Sequence, residues 1–184
     1  MPERADRLIC LLTLPVKFFR EVSVDLAESV IMAAGITFVH AVILMFMGLG
    51  SLGGLFTLPL KAVLIIAAFS FLVFAVLRMI KPVVRFDTIC GLINYAYFIM
   101  SVIHLSVYLI IWLPIHFAVI LLLIFFGGIL FAFYLAVTGI THRFRIAGWK
   151  TAASLAAGFI IFLAINLAPH AGYLNILYTK LKGF

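Results

Sequence analysis

Charged residues are scarce in this 184-residue chain, where they make up 10% of the sequence and only six are acidic. A soluble domain of this length needs a polar shell, with roughly a quarter of its residues charged. The two cysteines are too few for a disulfide-stapled secreted scaffold. The chain is instead rich in apolar residues, with 67% hydrophobic residues, 19 Phe and a mean hydropathy of +1.34. The composition therefore excludes a typical soluble enzyme and a disordered tail, and it indicates a membrane protein.

Apolar stretches recur along the chain at the length that a bilayer requires, about 20 helical residues for a hydrocarbon core of about 30 Å. The uncharged run 88–140 is about twice that length, so we expect two crossings there with a turn at Trp112 and Pro114. The stretches lack period-two alternation, which favours helices over strands. We predict an all-α domain at residues 26–168, followed by a short extracytoplasmic tail at 169–184. Its five transmembrane helices are predicted at residues 27–49, 60–80, 88–112, 115–140 and 149–168.

The segment 1–25 is amphipathic. Apolar residues recur in it every three or four positions, namely Leu8, Leu11, Leu12, Pro15, Phe18 and Phe19. This spacing predicts an interfacial helix whose phenylalanines lie among the acyl chains. Its basic residues are expected at the lipid headgroups: Arg4, Arg7, Lys17 and Arg20. The alternative is an amphipathic helix that packs on the bundle as a cover.

Lysine and arginine are distributed unevenly between the two sides that five spans define. Ten of the 13 basic residues lie before the first span or in and beside the connections from the second to the third span and from the fourth to the fifth. Because such residues mark cytoplasmic loops, we expect a cell inner (plasma) membrane protein with a cytoplasmic N-terminus and an extracytoplasmic C-terminus. The formal charge of +7 is then explained by contact with anionic membrane lipid, and it does not indicate a nucleic-acid partner.

Two histidines lie at similar depth in different predicted helices. His40 is about fifteen residues beyond Asp25 and His104 about seventeen beyond Asp87, which places both about 22–26 Å from the cytoplasmic side. Imidazoles from two helices at one depth are what a bis-histidine haem or another metal site requires. The alternative is a hydrogen-bonded structural pair. We predict no cofactor, with haem as the alternative.

Polar and small residues mark further helix faces. Asn94, Tyr97 and Ser101 form a polar stripe on one face of the third span. Either these side chains make hydrogen bonds to neighbouring helices, or they line a substrate groove. Lys61 opens the second span and is expected to extend to the outer headgroups. Small residues permit close helix packing, inside the bundle or against a partner membrane protein or second copy. These small residues are Ala33, Gly35, Ala153, Ala157 and Gly158.

Several stretches resemble one family. They are Leu14-Pro15-Val16-Lys17-Phe18-Phe19, Asn94-Tyr95-Ala96-Tyr97, Leu135-Ala136-Val137-Thr138-Gly139-Ile140-Thr141-His142 and Lys150-Thr151-Ala152-Ala153. Together with the five spans they resemble the Yip1 family of small five-span membrane proteins over about residues 8–168. The resemblance implies a cytoplasmic N-terminus and a bacterial-type member without the long N-terminal region of eukaryotic relatives, and it supplies no catalytic residue.

The sequence contains no P-loop, no zinc-protease motif and no recognisable catalytic triad, so we predict that the protein is not an enzyme. The function predicted is that of an accessory or organising subunit in a larger membrane assembly. Two alternatives remain. One is a haem- or metal-binding redox subunit that uses His40 and His104, and the other is a small-solute permease lined by the polar stripe.

Overall fold

The computed structural model describes residues 4–21, 23–48, 50–110 and 118–167. All regular structure in these ranges is helical, which confirms the all-α prediction. The helices are α1 (Arg4–Thr13), α2 (Pro15–Glu21), α3 (Leu26–Phe46), α4 (Leu52–Ile80), α5 (Phe86–Ile110), α6 (Ala118–Phe144) and α7 (Gly148–Leu167). The predicted turn at residues 112–114 and the tail at 169–184 lie outside the described residues.

Among the described helices, α3, α4, α5 and α6 are each long and apolar enough to cross a membrane. Helix α7 has 20 residues, and Gly148–Phe162 forms an apolar stretch within it that is shorter than those of the other four helices. By the length and composition of its helices, the protein therefore has several potential membrane spans.

Helix α4 begins eight residues before the predicted second span, so Gly53 and Gly54 lie in its first turn. Ser51 caps this helix, because its hydroxyl accepts a hydrogen bond from the backbone N–H of Gly54 at 3.2 Å. The chain reverses earlier, at Gly48, whose φ of 72° suits a residue without a side chain. With 29 residues, α4 is about 43 Å long and exceeds a hydrocarbon core of about 30 Å.

Helix α5 lies at the centre of the bundle, where it contacts α3, α4 and α6. Every residue from Ile89 to Ala96 is buried. Helix α7 packs on α4, and a Cβ atom on Gly158 would stand 2.8 Å from Val73 Cγ2. The rings of Phe69 and Phe162 lie 6.3 Å apart. Because residue numbers rise along α7 as they fall along α4, these two helices are antiparallel.

The N-terminal segment packs on the bundle as two short helices. Phe18 and Phe19 are only 2% and 1% exposed. The centroids of the Phe18 and Tyr95 rings lie 5.0 Å apart in an edge-to-face arrangement. Phe19 fits against Gly139 in α6, where a Cβ atom would stand 2.8 Å from its ring. The expectation that these phenylalanines lie among acyl chains is therefore wrong, because α5 and α6 offer them a protein surface. The alternative of a cover packed on the bundle describes their positions.

The connections that carry most basic residues meet at one end of the bundle. The Lys81 ammonium, after α4, donates a hydrogen bond to the carbonyl of Phe144 at the end of α6. Val24, ahead of α3, packs so closely on Gly91 in α5 that a Cβ atom on Gly91 would overlap Val24 Cγ1. We refer to this end as the basic end; its residues are Lys17, Arg20, Arg78, Lys81, Arg85, Arg143, Arg145 and Lys150.

Candidate functional site

A cleft of about 320 Å³ opens between α3, α4, α5 and α6 in the half of the bundle away from the basic end. We call it the polar cleft because it brings together five polar side chains from two helices. Its lining residues are Thr37, His40, Leu44, Leu58, Tyr97, Met100, Ser101, His104 and Phe125. The structure thus places both candidate histidines and two of the three polar-stripe residues around one cleft.

Two hydroxyl groups lie at the inner end of the polar cleft. The Thr37 hydroxyl donates a hydrogen bond to the carbonyl of Ala33 at 2.8 Å, one turn back along α3. The same oxygen lies 3.1 Å from the Tyr97 hydroxyl of α5, which acts as the donor when the Thr37 proton is used in this way. This pair joins α3 to α5 at the inner end of the cleft.

His104 is held by α6. Its Nε2 lies 3.1 Å from the carbonyl oxygen of Phe125, and its ring stacks on the Phe125 ring at 4.7 Å with an interplanar angle of 12°. Gly128 makes room for this arrangement, because a Cβ atom there would stand 3.0 Å from Nε2. A ring nitrogen that contacts a carbonyl oxygen acts as an N–H donor, and it has no lone pair left for a metal.

His40 has a similar local contact, in which its Nδ1 lies 2.8 Å from the carbonyl oxygen of Ile36. In this tautomer Nε2 of His40 carries the ring lone pair, whereas in His104 that nitrogen is Nδ1. In the part of the chain that the structure describes, no group of three or more His, Cys, Asp or Glu side chains is placed to hold a metal ion. Each histidine thus makes a hydrogen bond to a backbone carbonyl oxygen, His40 within α3 and His104 across to α6.

Asn94, the third residue of the polar stripe, does not line the polar cleft. It is buried, and its Nδ2 donates to the carbonyl of Cys90 at 2.8 Å and lies 3.4 Å from the Cys90 sulfur. Its Oδ1 has no hydrogen-bond partner among the described residues. Only Tyr97 and Ser101 of the stripe therefore line the polar cleft. This division argues against a single groove through the membrane lined by all three residues.

An apolar cavity of about 560 Å³ adjoins the polar cleft between α4, α5, α6 and α7. The two spaces share Thr37, Leu58, Tyr97 and Met100. The remaining lining residues are Lys61, Ala62, Ile65, Ile66, Phe69, Ile93, Ala96, Ile129, Ala132, Phe133, Ala136, Leu155, Phe159 and Phe162. Of the described residues that line it, Lys61 alone carries a full charge.

The predicted small-residue faces divide between the inside and the outside of the bundle. Ala33 is fully buried, and Gly158 is buried against Val73. Gly35 and Ala153 are exposed, and Ala157 is half-buried. No heavy atom beyond its own stretch of α3 comes within 4 Å of the place where a Cβ atom on Gly35 would stand.

Two of the residues predicted at lipid headgroups, Lys17 and Arg20, have exposed side chains on α2. Arg4 and Arg7 lie in α1. These positions are compatible with headgroup contact at the basic end.

Several residues of the site were not predicted from the sequence. Thr37 precedes His40 by three positions, so helical spacing alone was sufficient to place the two on one face. Phe125 and Gly128 come from a different helix, and nothing in their local sequence identifies His104 as their partner. Lys61 is recognisable in the sequence as a cation in an apolar helix, but the sequence does not show whether its side chain lines a cavity or lies on the outer surface.

The fold and the apolar helices define the class: a helical bundle with the architecture of a multi-pass membrane protein. Comparison of the chain with protein-family models, curated proteins and solved structures finds no match. The resemblance to the Yip1 family therefore rests on the sequence stretches quoted above.

Proposed function

We propose that this chain is a five-span, non-enzymatic membrane protein of the Yip1 type that serves as an accessory or organising subunit in a larger assembly of the inner (plasma) membrane. Its N-terminus lies in the cytoplasm and its C-terminus outside. The basic end faces the cytoplasm, where Lys and Arg in short loops are enriched.

The position of α7 supports the fifth crossing. This helix runs antiparallel to α4 from the basic end, with Gly158 beside Val73 and Phe162 beside Phe69. The hydroxyl of Thr141 donates to that of Thr151 at 3.2 Å, which ties the start of α7 to the end of α6. A helix of 20 residues spans about 30 Å, the thickness of the hydrocarbon core.

The observation that carries the proposal of a partner is the outer face of α3. Ile31 and Phe38 are 70% and 42% exposed, and Gly35 lies between them on the same face with open space beside it. Within lipid, helices associate by close packing at small residues, since apolar side chains gain little by leaving acyl chains. The notch at Gly35 allows the side chains of a neighbouring helix to approach the α3 backbone.

The N-terminal helices support attachment to the cytoplasmic leaflet. While Phe18 and Phe19 pack inward, Ile9, Leu12 and Leu14 of the same segment are exposed. These residues suit acyl chains, and the same segment carries the cations Arg4, Arg7, Lys17 and Arg20, for which anionic headgroups offer about 1 kcal/mol for each well-placed basic residue.

Gly35→Leu tests the partner face. The added side chain fills the notch, and we expect recovery of the co-purifying partner, or of the homo-oligomer, to fall by about tenfold after mild-detergent purification from native membranes. The matched control is Gly127→Leu in α6, another exposed glycine with no heavy atom within 4 Å of its Cβ position. It should leave recovery unchanged.

Native mass spectrometry of the same preparations supplies the decisive readout. A wild-type protein that runs as a stable monomer with no bound protein would contradict the proposed function. Equal partner recovery from the Gly35→Leu and Gly127→Leu variants would contradict the assignment of the partner to α3.

A further inference from the structure

We infer that the polar cleft and the apolar cavity together bind one anionic phospholipid, with an acyl chain in the cavity and the headgroup at the cleft. This inference goes beyond the proposed subunit role and does not depend on the protein partner.

The order of the two spaces along the bundle matches the orientation of a lipid. Helix α5 starts at the basic end, and its residues Ile93 and Ala96 line the apolar cavity, whereas Ser101 and His104, further along, line the polar cleft. The cavity therefore lies deeper in the bundle and the cleft lies nearer the opposite membrane face. A phospholipid of that leaflet has the same order, with its headgroup outward and its chains toward the middle of the bilayer.

The apolar cavity suits an acyl chain in size and in chemistry. Its volume of about 560 Å³ falls within the range of about 300–1,000 Å³ typical of ligand pockets. Ile65 and Phe69 of α4 and Leu155 and Phe159 of α7 are among its lining residues, and these side chains offer hydrocarbon contacts without a hydrogen-bond requirement. The distance along α4 from Lys61 to Phe69 is about 12 Å, so the cavity extends well into the hydrocarbon core.

Charge at the junction selects an acidic headgroup. Lys61 lines the cavity one helical turn from Leu58, which belongs to both spaces. An ammonium group at this depth favours a phosphate nearby, because an anion offsets the cost of holding the cation close to hydrocarbon. The side chains of His40 and His104 line a space of about 320 Å³, which is large enough for polar headgroup atoms beyond the phosphate.

Photolabelling in lipid nanodiscs tests the cavity. The full chain is reconstituted with a trace of phosphatidylglycerol that carries a diazirine in one acyl chain, irradiated, and mapped by mass spectrometry. We expect labels on α4 and α7 residues that line the cavity. Ala62→Phe fills the cavity and should lower this labelling by about tenfold. Ala68→Phe, at an exposed position of the same helix outside the cavity lining, should leave it unchanged.

A matched lipid pair tests the headgroup. The same photoactivatable chain is carried by phosphatidylglycerol or by phosphatidylcholine, and we expect the wild type to favour phosphatidylglycerol by about fivefold, the effect of one well-placed cation. Lys61→Gln should remove this preference and Lys61→Arg should keep it.

Three results would overturn the inference. Labels confined to surface residues outside the cavity lining would show ordinary boundary lipid. Equal labelling of the Ala62→Phe and Ala68→Phe variants would place the chain elsewhere. An unchanged preference for phosphatidylglycerol in Lys61→Gln would show that Lys61 does not recognise the headgroup. Each result is independent of whether a protein partner co-purifies.

Discussion

At the scale of single residues, the absence of a side chain determines how closely two helices approach. Gly158 allows α7 to pack on Val73 of α4, whereas Gly35 opens the outer face of α3. Both are glycines in apolar helices, so their different roles come from the neighbouring helix. In one case the neighbour is α4 of the same chain, and in the other it is lipid or a partner.

Gly158→Ala and Gly35→Ala separate these roles. The new Cβ on residue 158 would stand 2.8 Å from Val73 Cγ2, and relief of that overlap should cost about 1–3 kcal/mol of stability. Gly35→Ala meets no atom within 4 Å and should change stability by less than about 1 kcal/mol. Thermal unfolding in detergent, followed by fluorescence-detected size exclusion, compares the variants. A melting temperature for Gly158→Ala as high as that for Gly35→Ala would argue against the α4–α7 packing.

Sequence reasoning identified these small residues but did not divide them into inner and outer faces. In a soluble helix the polar side shows which side faces water, whereas helices α3 and α7 are apolar around most of their circumference. Lipid and protein neighbours select similar side chains, so the position of a neighbouring helix was needed to assign Gly35 and Gly158.

At the scale of helices, α2 shows how one pattern fits two surroundings. The spacing of Phe18 and Phe19 correctly predicts a helix with one apolar face, but that face suits acyl chains and a protein groove equally. Tyr95 and Gly139 lie more than seventy residues away in the sequence and form the groove. The choice between the two surroundings therefore depends on tertiary contacts that the local pattern does not contain.

Phe19→Ala tests whether α2 is part of the bundle. Loss of this ring from a fully buried position should cost about 3 kcal/mol and loosen α1 and α2 from α6. Leu12→Ala, at a position 45% exposed, is the control and should have a small effect. Amide hydrogen exchange of residues 4–21 in nanodiscs is the measurement, and we expect faster exchange in Phe19→Ala alone. Equal protection in both variants would indicate that the segment is held by lipid.

At the scale of the whole molecule, charge and apolar length organise the chain. Apolar length predicts the order of the long helices, and eight of the ten basic residues that the loop count assigned to one side meet at the basic end. The depth estimate for His40 and His104 agrees with their shared position at the polar cleft. Phe125, which stacks on His104, had no such signal, because the pairing of α5 with α6 side chains is a property of the packed bundle.

The five crossings that we propose leave the two ends of the chain on opposite sides of the membrane. Reporter fusions in living cells test it directly, with alkaline phosphatase or green fluorescent protein placed after Phe184 and an epitope tag placed before Met1. We expect the C-terminal phosphatase to be active and the C-terminal fluorescent protein to be dark. The N-terminal tag should be protected from external protease in intact cells. A fluorescent C-terminal fusion with an inactive phosphatase, together with a protected N-terminal tag, would place both ends in the cytoplasm and contradict it.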